Sequence, residues 1–236
     1  MKIFFNKKYL YALGTLSGTI IGVGLFSLPY ITYQVGVKTM LVYFLVLGTL
    51  TIIIHLLFGE ISLSTPDYLR LPGFARLHLG KWAQKVSLLS IILGLFGANL
   101  AYLIIGGKFL NILVGFQNEL IGVFLYFILG SFLIFFGIRA ICRVEFWGLI
   151  LFFIILSLIF LEGLPFFKAE NLLLTASQKD LFLPYGVILF SLWGAALIPE
   201  TEEILGKEKK ALKKIIFVSL LIPLITYLIF ILLVLG

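Results

Sequence analysis

A run of glycines and hydroxyl side chains near the start of the chain holds the residues best placed to do chemistry. Residues 14–30 read GTLSGTIIGVGLFSLPY and place four glycines, four serine or threonine hydroxyls and one proline within an apolar stretch. Each interior glycine costs a helix about 1 kcal/mol relative to alanine, and proline removes a backbone donor. The run therefore predicts a helix interrupted near Gly22, Val23 and Gly24.

Such an interruption exposes the polar ends of two half-helices. The first half would end in carbonyl groups, which suit an ammonium or a sodium ion. The second half would begin with amide groups, which suit a carboxylate. An amino acid zwitterion offers both charges. The spacing of Gly14, Gly18 and Gly22 also fits a seam of close helix packing, and the residues of this run leave both interpretations open.

The composition indicates a multi-pass membrane protein. The 236 residues are 61% hydrophobic and only 12% charged, and the mean hydropathy is +1.17. A membrane span needs ~20 apolar residues, and polar linkers are visible at 63–82 and 164–181. The pattern predicts seven spans, at 9–34, 37–62, 83–107, 117–138, 143–163, 182–205 and 212–235.

The basic residues predict an orientation in the lipid bilayer. If the N-terminus, with Lys2, lies in the cytoplasm, all but four of the 18 lysines and arginines fall on the cytoplasmic side. The C-terminus is then outside the cell membrane. This distribution explains the net charge of +7 without a nucleic-acid partner. The four exceptions are Lys38, Lys108, Lys168 and Lys179.

Enzyme chemistry has little support in this sequence. Cys142 is the only cysteine, which excludes an intrachain disulfide and a thiolate metal cluster. His55 and His78 lie too far apart in sequence to suggest a metal site. We find no Ser–His–Asp constellation and no phosphate loop, and therefore expect neither an enzyme nor a cofactor.

A second interrupted span is predicted near residue 194. Residues 185–206 read YGVILFSLWGAALIPETEEILG, with Ser191, Trp193, Gly194 and Ala195 near the middle and Pro199 following. Two interrupted hydrophobic segments in corresponding positions of two halves point to a transporter site. The first and sixth predicted spans stand in this relation.

Among three ionisable residues near the membrane, two have a functional and a structural interpretation and the third has one. Glu200 is a candidate proton-coupling or gating carboxylate, or else an interfacial acid paired with a basic loop. His55 is a proton relay, or a buried histidine hydrogen-bonded to a neighbouring helix. We expect Glu145 to form an interfacial pair with Arg143.

Polar side chains on the third span favour a cavity. Asn99 and Tyr102 are three residues apart and share a helix face. An unpaired amide in the membrane is costly, so Asn99 must bond another helix or face the cavity. Trp193 is a candidate gate or pocket wall, with a lipid-facing position as the alternative.

These segments resemble the amino acid–polyamine–organocation transporters. GTIIGVGLFSLPY is similar to their first-span motif, above all in the amino acid/auxin permease and aromatic amino acid permease branches. PYGVILFSLWGAALIPETEEILG and KKIIFVSLLIPLITYLIFILLVLG resemble spans 6 and 7, and GANLAYLIIGGKFL (97–110) resembles span 3. The resemblance covers nearly the whole chain.

The resemblance implies an all-α integral membrane fold of inverted five-helix repeats, with helices 1 and 6 broken. Residues 1–236 would form one transmembrane domain, with a first repeat at 1–163 and an incomplete second repeat at 182–236. The implied function is secondary active transport of amino acids by alternating access, coupled to protons or sodium. No other cofactor is implied.

The resemblance also implies the residues that meet the substrate. Backbone of the first break would meet its carboxylate and amine, residues of the second break would line its side-chain pocket, and the third span would cover it. The implied residues are Thr19, Ile20, Ile21, Gly22, Val23, Gly24, Tyr102, Ser191, Trp193, Gly194 and Ala195, and the cost of an unpaired amide adds Asn99 to the predicted site.

The number of spans departs from this family. Its fold has ten spans, whereas this chain reaches Gly236 after seven. We therefore expect a truncated form, with a second chain as one source of the missing spans. Two alternatives remain open: a non-transporting, permease-like receptor subunit, and an inactive fragment of a longer transporter.

Overall fold

The computed structural model describes residues 7–65, 69–116, 118–173 and 180–236. Lys2 and Lys179, which entered the charge analysis, lie outside these ranges. The described residues form helices and turns and contain no β-strand. The α-helices are α1 (Lys7–Ile20), α2 (Leu28–Val35), α3 (Val37–Ser64), α4 (Leu71–Val114), α5 (Glu119–Phe135), α6 (Ile138–Gly163), α7 (Leu183–Leu192), α8 (Ile198–Leu205) and α9 (Leu212–Leu235).

Several described helices are long and apolar enough to cross a membrane. Four stretches qualify, and the bent pair Lys7–Ile20 and Val23–Val35 makes a fifth. The protein is therefore an all-α, multi-pass membrane protein. Helix occurs at all seven predicted positions, but the number of seven spans stays a prediction. The four stretches are Val37–Ser64, Leu71–Val114, Ala140–Phe166 and Leu183–Leu235, the last of which holds α7, α8 and α9.

The predicted linker at 63–82 differs from the structure, because α4 already begins at Leu71. Pro72 lies in the first turn of α4, where its missing N–H would have no helical partner and its fixed φ suits a helix start. The helix is interrupted at Gly80, whose φ of 89° is readily adopted only by glycine. Polar composition was therefore a poor guide to where this helix begins.

The chain divides into two compact units, and the first comprises Met1–Tyr68 and Glu145–Gly236 as far as these are described. In this unit α1 packs against α8 and α9, and α3 packs against α7, α8 and α9. A single residue, Gly36 with a φ of 86°, joins α2 to α3. The core side chains include Leu16, Ile20, Leu28, Ile188, Leu192, Ile198, Ile216 and Leu220, all of them buried.

Many buried hydroxyls of this unit are satisfied within their own helices. Each donates to the carbonyl four residues earlier, so a polar side chain is accommodated without a partner from another helix. This arrangement explains how an apolar core tolerates so many threonines. The pairs are Thr32 with Leu28, Thr51 with Leu47, Thr201 with Leu197, and Thr226 with Ile222.

The second unit, Leu69–Val144, is built on the pair α4 and α5. The two helices meet at glycines. A Cβ atom built on Gly107 would lie 2.7 Å from the Cα atom of Val123, and one on Gly122 would lie 3.3 Å from the carbonyl carbon of Gly107. Only residues without a side chain permit such close contact between helix backbones.

Gly122→Leu is expected to separate α4 from α5 and to lower the free energy of unfolding by about 1–3 kcal/mol, the typical cost of overpacking. Thermal unfolding of the purified protein in detergent measures this change. Gly130→Leu on the same helix is the control, since a Cβ there meets nothing within 4 Å. Equal losses in both variants would contradict the glycine contact.

Candidate functional site

The first predicted break is present in the structure. The helix α1 ends at Ile20, Gly22 is extended with φ −117° and ψ −160°, and a 3₁₀ turn covers Val23–Ser27 before α2 begins. The two half-helices are bent by 40°. Pro29 lies in the first turn of α2, where proline starts a helix well. The glycines and the proline therefore act as the sequence predicted.

The second predicted break has the same organisation. The helix α7 ends at Leu192, Trp193 has ψ 113°, and Gly194 has φ −134° and ψ 9°. A 3₁₀ turn at Ala195–Leu197 then leads into α8, with a proline in its first turn. Interruption of both spans is thus confirmed.

The two breaks lie against each other. A Cβ atom on Gly24 would lie 2.9 Å from the Cβ atom of Ser191, and a Cβ atom on Gly194 would lie 2.5 Å from Cγ1 of Ile20. Real Cβ atoms do not approach other atoms so closely, so any larger residue at either position would force its neighbour to shift. This contact leaves no room for a bound molecule between Gly24 and Ser191 in this conformation.

A tyrosine of α9 bridges the two breaks. The hydroxyl of Tyr227 lies 2.6 Å from the carbonyl oxygen of Ile20 and 2.7 Å from that of Ser191. The side chain is fully buried. A phenol carries a single hydrogen, so the hydroxyl donates to only one of the two carbonyls at a time.

A histidine of α3 holds the amide of the second break. The N–H of Gly194 donates to Nε2 of His55 over 3.0 Å. Because Nε2 accepts this bond, the ring proton is assigned to Nδ1, which donates to the carbonyl of Thr51 over 2.8 Å. The ring also meets Trp193 edge to face, with centroids 5.4 Å apart. His55 is thus a buried histidine bonded to a neighbouring segment.

The glycines of α1 serve two purposes. A Cβ atom on Gly14 would lie 3.0 Å from Phe146 of α6, and one on Gly18 would lie 3.8 Å from Cβ of Glu145. These two glycines bring α6 close to α1. Gly22 and Gly24 belong to the break, so both interpretations of the glycine pattern hold, each for its own residues.

The structure brings together part of the predicted site. Ile20, Gly24, Ser191 and Gly194 meet at the two breaks. Ile21, Gly22 and Val23 belong to the same interrupted segment, and Ala195 is buried in the turn that follows Gly194. The side chain of Thr19 points elsewhere, with Oγ1 lying 3.3 Å from Oε1 of Glu145.

The remaining predicted residues are more exposed than this cluster or belong to the second compact unit. Trp193 is 48% exposed. Asn99 is exposed and Tyr102 is half-buried on α4, in the second compact unit. Their assignment to a substrate stays a prediction. Glu145 faces α1 through Thr19, whereas an interfacial pair with Arg143 was expected.

The most buried carboxylate of α8 is Glu202. Glu200 lies half-buried in the first turn of that helix, and its gating role stays a prediction. The side chain of Glu202 is only 3% exposed. It accepts a hydrogen bond from Ser62 of α3 and lies 3.4 Å from Nζ of Lys209. Glu202 therefore fastens α8 to α3 and to the following turn.

The sequence analysis did not identify Tyr227 and Glu202 as site residues, although the sequence around each indicates a buried polar side chain. Ile198, Glu202 and Leu205 recur at helical spacing, so Glu202 lies on the buried face of α8. Tyr227 is a polar group in the middle of an apolar helix, and a buried tyrosine hydroxyl usually has a hydrogen-bond partner. Neither signal identifies the partner.

Comparison with known proteins assigns a family. Residues 6–236 match the Tryptophan/tyrosine permease family. The chain is 28% identical over 218 residues to the tyrosine-specific transport system 1 of Haemophilus influenzae. The aligned region is 90% of this chain and 54% of that protein, so the chain spans about half the length of the curated relative. No solved structure matches.

Tyr227→Phe is expected to leave the carbonyl of Ser191 without its phenolic donor, whereas the carbonyl of Ile20 keeps the N–H of Gly22 at 2.9 Å. Burying an unsatisfied carbonyl costs about 1–3 kcal/mol, so the free energy of unfolding should fall by that amount. Thermal unfolding in detergent provides the measurement. Tyr185→Phe on α7 is the control, because that side chain is 53% exposed and should change little. An unaltered Tyr227→Phe protein would refute the bridge.

Gly24→Ala is expected to push the two breaks apart, because the new methyl group would overlap Ser191. The cost should again be about 1–3 kcal/mol of unfolding free energy. Gly186→Ala, where a Cβ meets nothing within 4 Å, should be neutral or stabilise α7 by up to ~1 kcal/mol. Limited proteolysis provides the measurement. Equal resistance of Gly24→Ala and Gly186→Ala to the protease would argue against the contact between Gly24 and Ser191.

Proposed function

Because the chain belongs to the tryptophan/tyrosine permease family, we propose that it carries aromatic amino acids across a cell membrane by secondary active transport. The observation that supports this most is the meeting of two interrupted helices at their breaks. Non-helical backbone at membrane depth occurs only where it is buried in protein or lines a cavity. Such breaks provide polar backbone groups for a zwitterion.

The amine of the substrate has a natural place beside Tyr227. Two carbonyl oxygens, of Ile20 and Ser191, share one phenolic hydrogen. An ammonium group has three hydrogens and satisfies both carbonyls at once. We propose that the substrate amine takes over these two bonds and that the tyrosine hydroxyl serves them when no substrate is bound.

The carboxylate of the substrate is proposed to meet the amide side of the breaks. The start of each second half-helix carries partial positive charge. The N–H of Gly194 belongs to this side and is held by His55 in the present conformation. The edge-to-face pair of His55 and Trp193 offers aromatic surface for a tyrosine or tryptophan side chain. The name of the Haemophilus influenzae relative, a tyrosine-specific transport system, supports an aromatic substrate.

We propose alternating access, and the closed contact between the breaks supports it. A substrate cannot lie between Gly24 and Ser191 until the two spans separate. We therefore propose that the described conformation is a closed state and that binding requires it to open. We also propose that a proton or a sodium ion is the coupling ion and that Glu200 acts as a gate. The N-terminus then lies in the cytoplasm and the spans form two inverted repeats. A second chain supplies further spans where they are needed.

Flux measured in proteoliposomes tests the proposal. Radiolabelled tyrosine should accumulate when an inward proton or sodium gradient is imposed, and unlabelled tryptophan should compete while lysine does not. Binding of tyrosine without flux would favour the receptor subunit. Neither binding nor flux would indicate a fragment that is inactive alone, and either result would overturn transport by this chain.

His55→Leu tests the proposed binding site. The substitution removes the ring edge beside Trp193, which is proposed to face the aromatic side chain of the substrate, and the bond that orders the break at Gly194. Tyrosine affinity should therefore fall about tenfold or more. Equilibrium binding of labelled tyrosine to protein in nanodiscs measures the change. His78→Leu provides the control, because His78 is exposed on α4, and its affinity should match that of the unmodified protein. Equal affinities in both variants would exclude His55 from the site.

A further inference from the structure

A narrow apolar groove lies between α1 and α9, at the ends where both helices begin. The two helices pack against each other. A Cβ atom on Gly206 would lie 3.7 Å from Nζ of Lys8, so α1 begins beside the turn that leads into α9. We call this feature the α1–α9 groove. The apolar side chains that line it are Leu10, Leu13, Ala211, Ile215 and Val218.

The α1–α9 groove is accessible from the surface of the protein. Leu10, Leu13 and Val218 are only half-buried. Val218 and Leu221 lie three residues apart on one face of α9, and Leu221 is 39% exposed. The apolar surface therefore continues from the groove along the outside of α9. In a membrane protein such a surface meets the acyl chains of lipids, which are as apolar as leucine.

Lysines lie at the end of the groove where the two helices begin. Lys214 itself lines the groove, and Lys7 shares a helix face with Leu10, three residues later. Both lysines are exposed. Tyr9 also lines the groove, and tyrosine is enriched at the boundary between membrane and water. The α1–α9 groove thus combines apolar walls with basic side chains at one end.

Acidic side chains near this end do not cancel the positive charge. Residues 7–8 and 206–214 contain seven lysines and a single acid, Glu208, which lies beside the hydroxyl of Tyr9. The last turn of α8 and the end of α3 add three acids, so the lysines remain in excess. These acids are Glu60 and Glu202, which pair with Lys213 and Lys209, and Glu203.

We propose that the α1–α9 groove binds one anionic phospholipid. An acyl chain lies against the apolar walls, and the phosphate lies beside Lys7 and Lys214. Basic pockets between membrane-spanning helices suit anionic lipid head groups, and covering an apolar wall with a hydrocarbon chain is favourable. A zwitterionic lipid brings an ammonium group that the lysines repel, and a free phosphate leaves the walls uncovered. Both therefore bind more weakly than an anionic lipid.

The lipid site goes beyond the proposed transport function, because it involves neither the substrate nor the coupling ion. The lipid contacts α1, which leads to the first break, and α9, which carries Tyr227. A ligand that binds only when these helices are packed together stabilises their packing by mass action. The anionic lipid should therefore stabilise the described conformation of this unit.

Lipid binding to the full chain tests the site without requiring transport. The purified protein in detergent is titrated with phosphatidylglycerol or phosphatidylcholine, and native mass spectrometry counts the lipids that remain bound. We expect one phosphatidylglycerol to bind about tenfold more tightly than phosphatidylcholine, since two lysines face its head group. Lys7→Gln combined with Lys214→Gln should remove this preference. Lys38→Gln combined with Lys108→Gln, which neutralises two exposed lysines of α3 and α4, should retain it.

A second pair of variants tests the apolar walls. Val218→Trp fills the groove and should weaken the binding of phosphatidylglycerol about tenfold. Ile225→Trp places the same side chain at a position of α9 that is 49% exposed, and it should leave the binding unchanged.

Several results would overturn the inference. Equal affinity for the two lipids, or equal losses in the two double-lysine variants, would show that the lysines of the groove do not select the head group. Full binding by Val218→Trp would exclude the groove. Displacement of phosphatidylglycerol by excess inorganic phosphate would indicate a site for an ion, not for a lipid.

Discussion

The structure depends on satisfying backbone groups where no water is available. A helix that stops inside a bilayer releases carbonyl and amide groups that lipid cannot bond. In this protein Tyr227 serves the carbonyls of Ile20 and Ser191, and His55 serves the amide of Gly194. These two side chains come from α9 and α3, so the interrupted spans are held by the uninterrupted ones.

The distribution of polar groups separates structural from functional positions. Most buried hydroxyls bond the carbonyl four residues earlier and need nothing from outside their own helix. The buried or half-buried polar groups that reach another helix include those at the breaks, at Glu145 and at Glu202. These three places lie along α1 and along α7 and α8, the spans that the sequence marks as interrupted.

Features that depend on a single segment could be predicted from the sequence, whereas contacts between distant residues could not. Glycine and proline act on their own segment, so the breaks near Gly22 and Gly194 could be predicted from residue type alone. Tyr227 and Glu202 act through residues 207 and 140 positions away, on Ile20 and Ser62, and no local pattern encodes such pairs. The start of α4 at Leu71 was missed because proline and polar residues there begin a helix.

The short helix α8 is secured at both ends. Just ahead of it, Gly194 is held by His55 of α3, and Glu202 near its other end is held by Ser62 of the same helix and by Lys209. Eight residues span only ~12 Å, too short to bend appreciably. A displacement of the break at Gly194 should therefore also move the turn at Gly206–Ala211. A fluorescent label on that turn would then report the displacement from the far end of α8.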